Sequence, residues 1–317
     1  MNSIGLDFKA AHNLLTPASS VVMASHEFTD PDDLGAMLGL KDALTQMGKK
    51  VSIVARGGMP ENLIFMPGAT ELVDTPPTHE YDTVIFLGCG DIARHGFKNW
   101  DLSNKKILNI DHHPDNKLYG DVNLVDHKAA ATCEIIYYKL KYLNIPITKQ
   151  IATNLLAGIF FDTGGFRHAS TTAATFEIAA ALVRAGARID RISNYFFGTT
   201  ELAKLKAWAR AFENARFDEK QRMVYSVVTE DELREIGAKP EHLEGVAEIL
   251  NTVPEAKFSM FLKQRGDEIK GSLRSENYKG VDVSAIARTF GGGGHKLAAG
   301  FKLKGKIEKT DNGWKIT

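Results

Sequence analysis

Apolar and polar positions follow one another along this chain in two textures. In the first half, continuous apolar runs alternate with segments of near-helical spacing. Ser19 to Ser25 (SSVVMAS) reads as a buried strand; Leu34 to Met47 then reads as a helix, ended by Gly48. KVSIVA, DTVIFLG (Asp82 to Gly88) and KKILNI (Lys105 to Ile110) read as further strands. Such Val/Ile/Leu runs, separated by helices, predict a parallel sheet covered on both faces. Helices are then expected over Thr132 to Leu143, Thr148 to Phe161 and Ala173 to Ala185, with Gly186 at the end of the last.

From about Arg216 the texture changes. RMVYSVVT alternates as a half-buried strand does, and KFSMFLKQRGDEIKGSLRSE reads as a hairpin turning at Arg265-Gly266-Asp267. A short helix from Val283 to Phe290 precedes GGGGHKLAAGF, and the tail ending DNGWKIT reads as a terminal strand or an extension. The expected fold class is α/β: a parallel-sheet domain over residues 1–190, a helical connector over 191–216, and a smaller α+β domain over 217–317. A length of 317 residues suits two domains.

Charge narrows the partners. With 39 basic and 39 acidic residues the formal net charge is zero. Long duplex nucleic acid, which is held mainly by a basic surface, is therefore not expected, whereas a short nucleotide needs only a few local cations. Cys89 and Cys133 stand far apart and form no disulfide framework; Met1 to Pro17 holds no long apolar run. A cytoplasmic protein without a membrane span is the expectation.

Candidate chemistry gathers at strand ends. His26, Asp30 and Asp32 are expected in the loop after the first strand, where open α/β sheets bind ligands, and offer nitrogen and oxygen to a divalent ion. The same aspartates, with Asp33, can equally serve as helix caps. Asp111, His112 and His113 close a later strand; one imidazole can face a metal and the other a substrate, with Asp111 orienting a ligating ring. Asp162 follows Ile159-Phe160-Phe161, a run expected to be buried, and a carboxylate there needs a partner or a cation. Gly291 to His295 can form a loop whose backbone N–H groups cradle phosphate, and Arg274 stands on a nearby strand.

Taken in order, HEFTDPDDLG, Asp111-His112-His113, DTGGF and GGGGHKLAAGF resemble the motifs of the DHH/DHHA1 phosphoesterase family, nearest to its stand-alone oligoribonuclease/pAp-phosphatase (nanoRNase) subgroup. The resemblance spans about residues 20 to 302. It implies two Mn²⁺ ions, with Mg²⁺ or Co²⁺ as alternatives. His26 and Asp30 would hold one; Asp32, His112 and Asp162 would hold the other. His113 would touch the scissile phosphate, and Gly292, Gly293, Gly294, His295 and Arg274 would grip the nucleotide. The active site would lie in the cleft between the DHH and DHHA1 domains, and a homodimer would fit the resemblance. The implied activity is hydrolysis of short oligoribonucleotides, linear or cyclic dinucleotides, or pAp. One position departs from the pattern. The family places a bridging Asp after the strand VIFL, where this chain has Gly88. Asp91 is the nearest carboxylate downstream, either a metal ligand swung in from the loop or a polar position the family often carries there, and Arg94 matches a basic position common after that motif. Gly88 leaves four alternatives: one ion, two ions held weakly, two ions bridged by water or substrate, or a nucleotide-binding protein that has lost its chemistry.

Overall fold

The computed structural model describes residues 6–198, 201–310 and 313–317. The chain divides into two compact units, Met1–Gly198 and Thr199–Thr317.

The first unit runs α1 (Phe8–Leu15), β1 (Ser20–Ala24), α2 (Pro31–Gln46), β2 (Lys50–Val54), β3 (Thr83–Leu87), β4 (Lys106–Asp111), β5 (Val122–Val125), α3 (Thr132–Tyr142), α4 (Lys149–Asp162), α5 (Ala173–Arg184) and α6 (Ile189–Ser193). Its five strands are all parallel, in the order β2-β1-β3-β4-β5. Both faces are covered. Val21, Met23, Ile85, Leu87, Leu108 and Ile110 pack with Leu34, Leu38 and Leu155, whereas Val22, Ala24, Val84 and Phe86 pack with Cys89 and Phe97. This is why the strands are apolar at successive positions.

The sheet grows from β1 toward β2 on one side and toward β3 on the other. The loops leaving β1 and β3 therefore part, which opens a crevice at their carboxyl ends. The apolar spacing marks α2 over Leu34 to Met47, yet the helix starts at Pro31. Asp30 is its N-cap: Oδ1 accepts Asp32 N at 2.9 Å and Asp33 N at 3.0 Å. Asp32 thus belongs to the first helical turn rather than to the loop, and Asp33 stands beside it. Helices α2 and α4 approach closely through glycines. A Cβ on Gly35 would lie 2.5 Å from the Asn154 carbonyl oxygen, and one on Gly39 2.9 Å from Leu155 Cδ2.

Lys139 on α3 is only 1% exposed. Its Nζ donates to the Phe8 carbonyl at 2.9 Å and lies over the Phe8 and Tyr142 rings. Burial, only partly opposed by Asp7, lowers its pKa to about 8. Above that pH the native lysine is neutral, while the unfolded one keeps its proton to about 10.4. The unfolded state then binds more protons, so stability rises with pH across this window, by about 3 kcal/mol from this one group. Lys139→Met should remove that rise, which urea titrations of both proteins between pH 7.5 and 10.5 would check.

The second unit comprises α7 (Leu202–Glu213), β6 (Arg216–Asp218), β7 (Met223–Val228), α8 (Glu230–Glu235), α9 (Val246–Leu250), β8 (Phe258–Arg265), β9 (Glu268–Arg274), α10 (Val283–Thr289), β10 (Gly293–His295), β11 (Ala298–Lys304), β12 (Ile307–Thr310) and β13 (Gly313–Ile316). Six strands form a mixed sheet in the order β10-β11-β9-β8-β7-β6, with β7 and β8 parallel and the other pairs antiparallel. The β8–β9 hairpin turns at Gly266, as its sequence predicts. Helix α7 falls in the stretch expected to be a connector, but it packs Ala207 and Ala211 into this unit's own core with Val224 and Leu250. The tail is a hairpin, β12 against β13.

Candidate metal centre

His26 follows β1 and its ring is fixed at both ends. Nδ1 lies 2.7 Å from the Glu27 carbonyl oxygen, which can only accept, so Nδ1 carries the proton. Nε2 faces two carboxylates, Asp33 Oδ2 at 2.9 Å and Asp30 Oδ2 at 3.9 Å. Asp30 spends Oδ1 on the helix cap and leaves Oδ2 for this cluster.

His112 repeats the arrangement just beyond β4. Its Nδ1 lies 3.3 Å from the Ala129 carbonyl oxygen, and its Nε2 faces Asp162 Oδ2 at 3.1 Å and Asp32 Oδ2 at 4.0 Å. Asp32 is oriented by the start of α3, accepting Thr132 N at 2.7 Å and Cys133 N at 3.0 Å. Asp162 is the last residue of α4. The apolar run before it is less buried than expected, for Phe161 is 42% exposed and turns outward. Within each group, His26–Asp30–Asp33 and Asp32–His112–Asp162, the donor atoms lie within 4.8 Å of one another.

Both groups have the chemistry of a divalent-cation site. A neutral imidazole protonated on Nδ1 aims an Nε2 lone pair at carboxylate oxygens, an arrangement that requires a proton or a metal ion between them. A backbone carbonyl on the other ring nitrogen is the usual support of a ligating histidine. A proton can fill that need. Asp30 and Asp33 push His26 up to about 11. Burial would depress His112, but Asp162 and Asp32 outweigh it and push the ring up to about 10. The carboxylates crowd one another. Burial, then the Asp162 charge, raises Asp32 to about 6; burial, then the Asp30 charge, raises Asp33 well above its ordinary range; burial raises Asp162. Four aspartates and two histidines in so little space fit divalent cations through oxygen and nitrogen.

The other sequence candidates separate by role. Asp111 is fully buried and holds His113 rather than the His112 ring: its Oδ1 accepts His113 Nδ1 at 2.7 Å and the His112 amide at 2.8 Å. His113 is partly exposed, and its Nε2 is the ring nitrogen left free of that contact. Asp91 belongs to neither group. Its Oδ1 accepts Ala93 N at 3.0 Å and caps the turn Ile92–His95. Arg94 Nη1, Asp111 Oδ2 and Asp115 Oδ1 border the space over Gly90, each 3.6–3.7 Å from where a Cβ would stand.

In the second unit the expected glycine loop is in part a strand. Gly293, Gly294 and His295 form β10 at the sheet edge, with Gly292 packed against Gly300 and Phe301. Across the sheet His295 pairs with Ala298, and Ala298 pairs with Arg274, which puts Arg274 and His295 on one face. Arg274 is not a free cation, since its Nε donates to Glu248 Oε1 at 2.8 Å.

The sequence misses Asp33 as a potential ligand. Its neighbour Asp32 bears the same charge, and a cap accounts for both. Only the helix start, which turns Asp32 toward His112 and Asp33 toward His26, tells them apart.

Known proteins resemble the chain over most of its length. Residues 20–159 match the DHH family, N-terminal domain, and residues 220–312 match the DHHA1 domain. The chain is 31% identical over 296 residues to the bifunctional oligoribonuclease and PAP phosphatase NrnA of Thermus thermophilus, covering 90% of this chain and 84% of that protein. It belongs to the DHH/DHHA1 phosphoesterase family. NrnA of Bacillus subtilis is similar too, at 28% identity over 90% of this chain and 89% of its own. Among solved structures, an exopolyphosphatase-related protein from Bacteroides fragilis shares the fold, with a TM-score of 0.85 and 22% identity over 94% of this chain and 91% of that chain. No helix among the described residues is long and apolar enough to cross a membrane.

Proposed function

We propose that this DHH/DHHA1 enzyme is a metal-dependent phosphodiesterase and phosphatase of short nucleotides, acting on short oligoribonucleotides, linear or cyclic dinucleotides, or pAp. The observation that carries this reading is the pair of histidines, His26 and His112, each braced at Nδ1 by a backbone carbonyl and aimed at two carboxylates. The names of the curated relatives support the substrate class. His26, Asp30 and Asp33 would hold one ion, and Asp32, His112 and Asp162 the other; manganese is the ion we expect, in the cytoplasm. When bound, such ions polarise a phosphoryl group and stabilise charge on the attacking and leaving oxygens.

The chain's own residues do the rest. Asp111 keeps the His113 Nδ1 proton in place, so Nε2 is presented to a phosphoryl oxygen and can donate to it when protonated. Arg274 and His295 are the side chains of the second unit that we assign to the nucleotide, with the Gly292–Gly294 backbone. The test is turnover. Manganese-loaded protein should release mononucleotides from short 5′-phosphorylated oligoribonucleotides, or phosphate from pAp, or open cyclic dinucleotides. If folded, metal-loaded protein turns over none of the three, the reading fails; tight nucleotide binding in that case would identify a binding protein instead.

A further inference from the structure

We propose that Asp33 is the carboxylate ligand that position 88 lacks, and that Gly88 is glycine because the Asp33 side chain occupies its space. The inference rests on the metal-dependent reading above and extends it to a residue outside the expected ligand set.

Three observations carry it. First, a Cβ built on Gly88 would lie 1.6 Å from Asp33 Oδ1 and 2.7 Å from its Cγ. No side chain can enter there while Asp33 stays; the carboxylate that the family resemblance places at the end of β3 comes from the first turn of α2. Second, the backbone is set for this. Gly88 has φ of 62° and its N–H donates to the Ile110 carbonyl at 3.0 Å, which ties the turn to β4. A side chain at this φ adds strain to the collision. Third, the Asp33 carboxylate is 3% exposed and its Oδ2 faces His26 Nε2 at 2.9 Å, so that oxygen is met by a proton on that ring or by a cation. A buried carboxylate oxygen without a hydrogen bond is costly unless a cation meets it. Asp33 is aimed into the His26–Asp30 group, and the three donor atoms lie within 4.8 Å of one another. The two positions are thus exchange partners: one space, one carboxylate, two possible origins.

The test uses the full chain with manganese alone, read by calorimetric titration, by metal content after gel filtration and by the paramagnetic resonance of bound Mn²⁺. Wild type should bind two ions. Asp33→Asn, nearly identical in shape, should bind one of them at least about tenfold more weakly. Gly88→Asp alone should lower the melting temperature, since two side chains then claim one space. Asp33→Ala/Gly88→Asp, which moves the carboxylate to the strand, should recover binding, and should recover the melting temperature except for the part due to an aspartate at φ 62°. Unchanged binding by Asp33→Asn overturns the inference and leaves the functional reading standing. Loss in Asp33→Asn without recovery in the double variant overturns the exchange. If wild type binds no divalent ion, both fall.

Discussion

His112→Ala is expected to lower turnover of a nucleotide substrate about a thousandfold and to empty the metal position it shares with Asp32 and Asp162. The magnitude follows from the several kcal/mol that a divalent ion contributes to a phosphoryl transition state, about 4 kcal/mol being roughly a thousandfold. Without the imidazole, Asp32 and Asp162 face each other with burial already raising both. Each will tend to protonate, and a protonated carboxyl is a poor ligand. The variant therefore loses metal as well as rate. His113→Ala separates the two effects. It should keep both ions and lose about a hundredfold or more in kcat, because the ring belongs to neither donor group and is the one we assign as proton donor to the substrate. Asp111→Asn should follow His113→Ala, since Asp111 acts through that ring. Metal content and kcat measured together on the three variants check the assignment. A His112→Ala protein with two tightly held ions, or a His113→Ala protein stripped of one, would reverse the roles.

How far the sequence reaches is visible in these same residues. Strands β1 and β3 were legible because burial on both faces makes them continuously apolar, β2 and β4 because each still carries a short apolar run, and the β8–β9 hairpin because a glycine turn divides two matched runs. Strand β5 was not: it has four residues at a sheet edge, and its pattern is too short to stand out. Helix α8 carried a readable signal in the Thr229–Glu232 capping box, which its six residues of length obscured. At the site, the sequence indicated which residue types converge at the strand ends. It could not divide Asp30, Asp32 and Asp33 among capping and two donor groups. Successive helical residues diverge by about 100°, so the division depends on where α2 begins. Nor could it say that Gly88 is filled space rather than a gap, because that depends on a side chain 55 positions away in sequence, as the difference 88 − 33 gives.

Gly35→Val should cost more than about 3 kcal/mol, even though residue 35 touches no substrate. The reason lies in how the donor groups are held. Asp32 and Asp33 extend from α2, Asp162 ends α4, and these two helices are brought together over glycines. A Cβ on Gly35 would stand 2.5 Å from the Asn154 carbonyl oxygen and 3.1 Å from Cys133 Sγ. That oxygen belongs to the α4 backbone, so no rotamer change relieves the contact and the helices must part. The opposing surface is equally tight. A Cβ on Gly158 would meet Cys133 Sγ at 2.5 Å and Asp32 Cα at 2.9 Å. For a unit of this size the loss corresponds to a fall of roughly 6–12 °C in melting temperature. Gly158→Ala is the milder and more revealing change. Its methyl group presses on Asp32 itself, so the Asp32–His112–Asp162 ion should bind more weakly while the His26–Asp30–Asp33 ion is retained. Melting curves with and without manganese distinguish the outcomes. If added metal restores Gly158→Ala to the wild-type melting temperature, the helix contact is not what fixes Asp32; if the deficit persists at saturating metal, the packing of α2 on α4 sets the ligand geometry.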